Sequence, residues 1–388
     1  MDLEPLIDGI SSLEREISNF KSCIEHLTLV DAALHDVKEA LLYAAKELSN
    51  SVQDLRRDYR ILHQVSGEEY SEQYKTLETR FWNLRRQLFI LASFLRDLNH
   101  HSAILRDIRD RRLKLCMDAF ISGLIGLVRE PSDFNAYKFV HMYSYEYWWN
   151  GLFHERGLFI LGSPDFDIEV PYHWPLIAHE IGHAYYILVK PRLSRLILPR
   201  LVAYMLKMAP THVNMRDVYM LLRKWLHQWF SEVISDIFAC SLIGASYTVP
   251  LIEYLQRPTL TVIDDTHPSI AARILVQLKY MERLDLMEML ETCKRYWESL
   301  YLSVERGAEA PGYPFDQEIL EYIAEEFTTL MPHPPIKEYL DKILEIKDYL
   351  DSGVVKSDSA PLMVCGLALS KNRFEIGREV LKAIMEGL

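Results

Sequence analysis

The sequence predicts a mainly helical chain with one small β-sheet, an α+β protein in which long N-terminal helices precede a helical functional domain. Three observations carry this expectation. Residues 11–121 contain no proline and a single glycine, Gly67, so little there breaks a helix. Strand-like texture is confined to "YKFVHMYSYEYWW" (137–149) and "RGLFILGSPDFDIEV" (156–170). From Pro175 to about Leu302 the apolar residues again recur with helical spacing.

Apolar residues at Leu3, Leu6, Ile10, Leu13, Ile17, Phe20, Ile24 and Leu27 alternate in steps of three and four. The rhythm continues through Leu34, Val37, Leu41, Ala44 and Leu48. A four–four step to Val52 then shifts its phase before Leu55, Tyr59 and Leu62. That pattern is a heptad seam with one stutter. A second run passes through Tyr70, Tyr74, Leu77, Phe81, Leu84, Leu88, Leu91, Leu95 and Leu98, with "VSGEEY" (65–70) as the turn between the two. Residues 1–118 therefore read as a helical hairpin or coiled-coil arm, which either binds a protein partner or second copy or covers the rest of the chain. Residues 119–304 read as the functional domain with the sheet. Residues 305–388, entered through "ERGAEAPGYPF" and interrupted by "PHPP" (332–335), read as a C-terminal helical segment.

Composition narrows the function. A hydrophobic content of 49% and a charged content of 25% fit a folded globular protein. A formal charge of −12 argues against nucleic acid as a partner, which needs a basic surface, and "RDIRDRRLK" (106–114) reads as a solvated helix face. The five cysteines are widely spaced with no C-x-x-C pair, so neither a disulfide framework nor a thiolate metal site is expected. "MDLEPLIDGI" lacks the basic and apolar regions of a secretory signal. "AFISGLIGLV" (119–128) is shorter than the roughly 20 residues a bilayer span needs. The expectation is a cytoplasmic protein without a membrane segment.

The chemistry concentrates in "PLIAHEIGHAYYIL" (175–188). His179 and His183 are four apart and share one face of a helix, able to chelate one ion, with Glu180 at the side of that face. In an otherwise apolar segment these groups are costly unless paired or bound to a metal. This H-E-x-x-H arrangement suits Zn²⁺ held by two imidazoles, with Glu180 as general base. Satisfied core histidines are the alternative. A second apolar helix, "WFSEVISDIFACSLIGA" (229–245), carries Glu232 and Asp236 at the same i,i+4 spacing. Glu232 is the candidate third ligand, and Asp236 the candidate acceptor that orients a ligand histidine from its far ring nitrogen. The alternative there is a pair of buried salt bridges, for example to Arg223 or Arg273.

Together, "HEIGH" and the downstream "EVISD" resemble the gluzincin class of zinc metallopeptidases, the thermolysin-like group with H-E-x-x-H followed by E-x-x-x-D. The resemblance covers roughly residues 135–275, and its specific part is ten residues. It implies a zincin-like domain in which the two helices pack side by side behind a small sheet with a substrate-binding edge strand. It also implies hydrolysis of a peptide or protein substrate. The aminopeptidase G-x-M-E-N signature and the metzincin H-x-x-G-x-x-H extension are both absent from the chain. "HPSIAARI" (267–274) is similar to the H-P-x-x-x-x-R-I stretch of some gluzincins, which implies His267 as an oxyanion donor and Arg273 as a tie to the acidic helix. The other reading of that stretch is a helix start with Thr266 as its cap. Tyr172, His173, Tyr185 and Tyr186 are alternative donors. A scaffold with a structural zinc site and a non-peptide amide or ester hydrolase are the competing functions.

Overall fold

The computed structural model describes residues 4–29, 31–62, 68–129, 133–151, 153–196, 230–254, 270–304 and 337–387, with a few isolated positions between them. It is mainly helical with one three-stranded sheet, as the sequence predicts. The chain divides into two compact units, Met1–Asp110 with Met142–Ser144, and Arg111–His141 with Tyr145–Leu388.

The first unit is built from α1 (Glu4–Glu25), α2 (His35–Leu62) and α3 (Glu68–Ile104). The apolar stripe of α1 is buried from Leu6 through Ile24, and that of α3 from Tyr74 through Leu98. Two details differ from the sequence reading. The continuous seam breaks after α1, where β-branched Thr28 and the polar Asp31 favour leaving the helix. Lys38 of α2 closes this break by donating to the carbonyls of Glu25 and Leu27, at 3.1 and 2.9 Å. On α2 the buried residue is Ala45, not Ala44, so the four–four step falls at Val37–Leu41–Ala45. With two adjacent alanines, the pattern alone does not fix which one faces inward. The proposed 65–70 turn lies largely outside the described residues.

α4 (Ile108–Gly126) runs unbroken through residue 118, and its residues from Arg111 onward belong to the second unit. The sheet follows, with β1 (Lys138–Ser144, of which Met142–Ser144 are assigned to the first unit), β2 (Trp148–Asn150) and β3 (Leu158–Pro164) in the order β1-β3-β2. β2 pairs antiparallel with β3, with Trp148 opposite Gly162 and Asn150 opposite Ile160. "PYHWP" opens a 3₁₀ helix over Pro171–Leu176. Proline fits its first position, and Trp174, fully buried, anchors it by donating to the Asp167 carbonyl at 3.1 Å.

That turn feeds α5 (Ile177–Leu196), which packs along α6 (Phe230–Ile243). In α6 every residue except Ser231 is buried, as expected of a helix apolar on all sides. Gly244, at φ +56°, ends it in the left-handed conformation that glycine adopts without strain. The unit is completed by α7 (Ala245–Tyr254), α8 (Ile270–Arg283), α9 (Met287–Val304), α10 (Lys337–Asp351), α11 (Ala360–Leu369) and α12 (Arg373–Gly387). The links at 305–315 and 332–335 lie outside the described residues. Among the described residues no helix is long and apolar enough to cross a membrane. All five cysteines are free, and only Cys23 is exposed.

Candidate metal centre

α5 and α6 bring the two polar anomalies of the sequence together. His179, His183 and Glu232 each present one ligand-type atom, and these atoms lie within 4.8 Å of one another. His179 Nε2 is 3.2 Å from Glu232 Oε2, and His183 Nε2 is 3.2 Å from Oε1. Atoms at two vertices of a tetrahedron with zinc-like bonds of about 2.0–2.1 Å are about 3.3 Å apart, so the spacing fits such an ion. All three residues are buried, as are Glu180 and Asp236.

The close helix crossing that permits this depends on the residue inside the motif. A Cβ added to Gly182 would sit 2.7 Å from the Ser235 Cα and 2.9 Å from its carbonyl oxygen. Backbone must move to admit it, and His183 and Glu232 lie beside the contact. Gly182→Ala is therefore expected to destabilise by about 1–3 kcal/mol and to weaken zinc binding ten-fold or more. Chelator competition and urea unfolding on the same variant measure the two effects.

Behind the site, Asp236 is fully buried and surrounded by donors. Arg273 of α8 donates to it from Nε and Nη2, each at 2.7 Å, and Tyr247 of α7 donates from Oη at 2.5 Å. His179 Nδ1 lies 2.8 Å from the same carboxylate and donates to it, which leaves Nε2 facing Glu232. The Tyr247 ring stacks on the His179 ring, with centroids 6.2 Å apart and planes 9° apart. Asp236 thus accepts from His179 and forms a buried salt bridge with Arg273 at once. Arg273 also approaches Glu232, at 3.7 Å.

The electrostatics describe a site that holds positive charge. Burial disfavours the charged form of Asp236, but Arg273 and His179 outweigh it and hold the carboxyl down to about 2. Burial likewise opposes a charged His179, yet Asp236 and Glu232 bring it up to about 10. Glu232 is held well below its usual range by both histidines, against its own burial. Burial pushes His183 down, toward the neutral form that ligates metals. Asp236 and Glu232 together thus favour a proton on His179, against the repulsion of the Arg273 guanidinium.

Other predicted residues fall out as follows. His267 and Arg223 lie outside the described residues. Tyr185 and Tyr186 are packing groups, against Phe238 and Phe230. His173 pairs with Asp167 at 2.9 Å, and its carbonyl accepts from Tyr147 Oη at 3.1 Å. Tyr172 packs edge-on against His173 and Phe374. Three residues that frame the site were not singled out from the sequence: Tyr247 beside His179, Trp149 stacked on His183, and Tyr147 within electrostatic reach of Glu180. Each is an aromatic in an apolar run, where packing and site roles leave the same signal.

No protein-family model matches the chain, and no curated protein or solved structure is detectably similar to it.

Proposed function

We propose that the chain is a zinc-dependent peptidase, with His179, His183 and Glu232 as metal ligands and Glu180 as the general base. The observation that carries this reading is the geometry of the three ligand atoms, joined on α5 by a buried carboxylate one residue from a ligand. Zinc held there supplies Lewis acidity and a water acidic enough to ionise near neutral pH. Glu180 accepts the proton from the attacking water and returns it to the leaving amine. Asp236 fixes the His179 ring through Nδ1 and keeps Nε2 available for ligation. Arg273 offsets the charge of the two α6 carboxylates, so that the site tolerates both in a buried helix.

Three further features support a hydrolytic site over a structural clamp. Three protein ligands, the number found among the described residues, leave one of four positions open for water or substrate. A structural zinc also has no use for Glu180. β2 lies at the sheet edge, and Trp149 in it contacts the ligand His183, so an extended peptide pairing with that edge would run beside the site. Metal removal tests the reading. A mixed peptide library should be cleaved by the untreated chain, spared after chelation and cleaved again when zinc is restored. Full zinc occupancy with no cleavage of any peptide would favour the structural alternative.

A further inference from the structure

The two histidines are held by different means, and the difference assigns a role to Trp149. His179 is fixed by its bond from Nδ1 to Asp236. His183 Nδ1 is buried and has no hydrogen-bond partner among the described residues. Metal-ligating histidines are ordinarily oriented through that second nitrogen, so His183 needs another constraint. The indole of Trp149 supplies one: it lies parallel to the His183 ring, with centroids 5.2 Å apart and planes 15° apart.

The indole is itself tightly held. β2 pairs Trp149 with Leu161 of β3, which fixes its backbone. A Cβ added to Gly151 would sit 2.5 Å from Trp149 Cζ3 and 2.6 Å from Ile187 Cδ1, so the ring packs closely over Gly151 and beside Ile187. Ile187 is one helical turn beyond His183 on α5, so the indole spans one patch of that helix face.

We infer that Trp149 is the positioning residue of His183, orienting the ring by stacking where Asp236 orients His179 by a hydrogen bond. The inference rests on the metal-site reading above. A cation drawn to Nε2 depletes the imidazole of electron density, and the face of an indole attracts such a ring more strongly than a neutral one. The stack therefore tightens when metal binds and contributes to affinity, beyond holding the apo conformation.

The test compares the full-length chain with Trp149→Phe and Trp149→Ala. Zinc affinity, by chelator competition, should fall ten-fold or more in Trp149→Ala, the range typical of lost orienting partners, and recover to within about three-fold in Trp149→Phe. Cobalt(II) titration adds a spectroscopic readout. It should quench tryptophan emission in the wild type, and the quenched amplitude should shrink in Trp149→Phe, which lacks the indole stacked on His183. Equal zinc affinity in the wild type and Trp149→Ala overturns this inference alone. If Trp149→Ala does not fold, undiminished quenching in Trp149→Phe overturns it instead. A wild-type chain that binds neither metal overturns the metal site, and this role with it.

Discussion

Replacing Glu180 by glutamine should abolish peptide cleavage, with kcat falling by about 10²–10⁴-fold, while zinc stays bound and the fold is unchanged. Glutamine keeps the size of the side chain and its hydrogen-bonding capacity, but it cannot take a proton from water. The proposed ligand set is left intact, because the residues that could hold an ion are His179, His183 and Glu232, and Glu180 is not among them. Zinc content and urea unfolding should therefore match the wild type within error. Rate assays alongside metal analysis separate this outcome from simple loss of the site. A glutamine variant that cleaves at the wild-type rate would remove Glu180 from the chemistry.

Asp236→Asn should produce the largest loss of stability, about 3–5 kcal/mol by urea unfolding, because it strands a buried cation. Arg273 directs two hydrogen bonds at Asp236 and is itself buried, with Glu232 at 3.7 Å as a weaker counter-charge. The substitution also removes the charge that holds the His179 ring, so zinc affinity should drop by about 10–100-fold. The pair has a signature in pH. Asp236 titrates at about 2 in the folded chain against an ordinary 3.8, so its contribution to stability is present above 3.8 and is lost as pH falls towards 2. His179 shows the same coupling from the other side. Its folded value of about 10 exceeds the ordinary 6.5, so its contribution is present below 6.5 and fades as pH rises through 10. Unfolding free energies of the metal-free wild type should decline in both windows, and Asp236→Asn should lose both slopes.

The parts of the site that the sequence made legible are those set by spacing within one helix. His179 with His183, and Glu232 with Asp236, are i,i+4 pairs in apolar segments, and both local geometry and desolvation cost mark them out. That α5 and α6 lie against each other was an expectation from resemblance, and the physical reason for the close approach is the bare Cα of Gly182 against the Ser235 backbone. Tyr247 and Trp149 were hidden because an aromatic on an apolar helix or strand looks like core, and only the third dimension separates a ring on a ligand from one on a leucine. In the N-terminal helices the stripes were legible, but the exact phase was not. Ala44 and Ala45 are equally apolar, and which one is buried depends on how α2 packs against its neighbours in the first unit.

The central claim is that His179, His183 and Glu232 hold a metal ion, and the zinc content of the purified full-length chain tests it most directly. Elemental analysis should find about one zinc per chain after exposure to zinc and removal of excess, and far less in the Glu232→Ala and His183→Ala variants. Retention of the same zinc by these two variants would place the ion elsewhere, and a wild-type chain that takes up none would contradict the account.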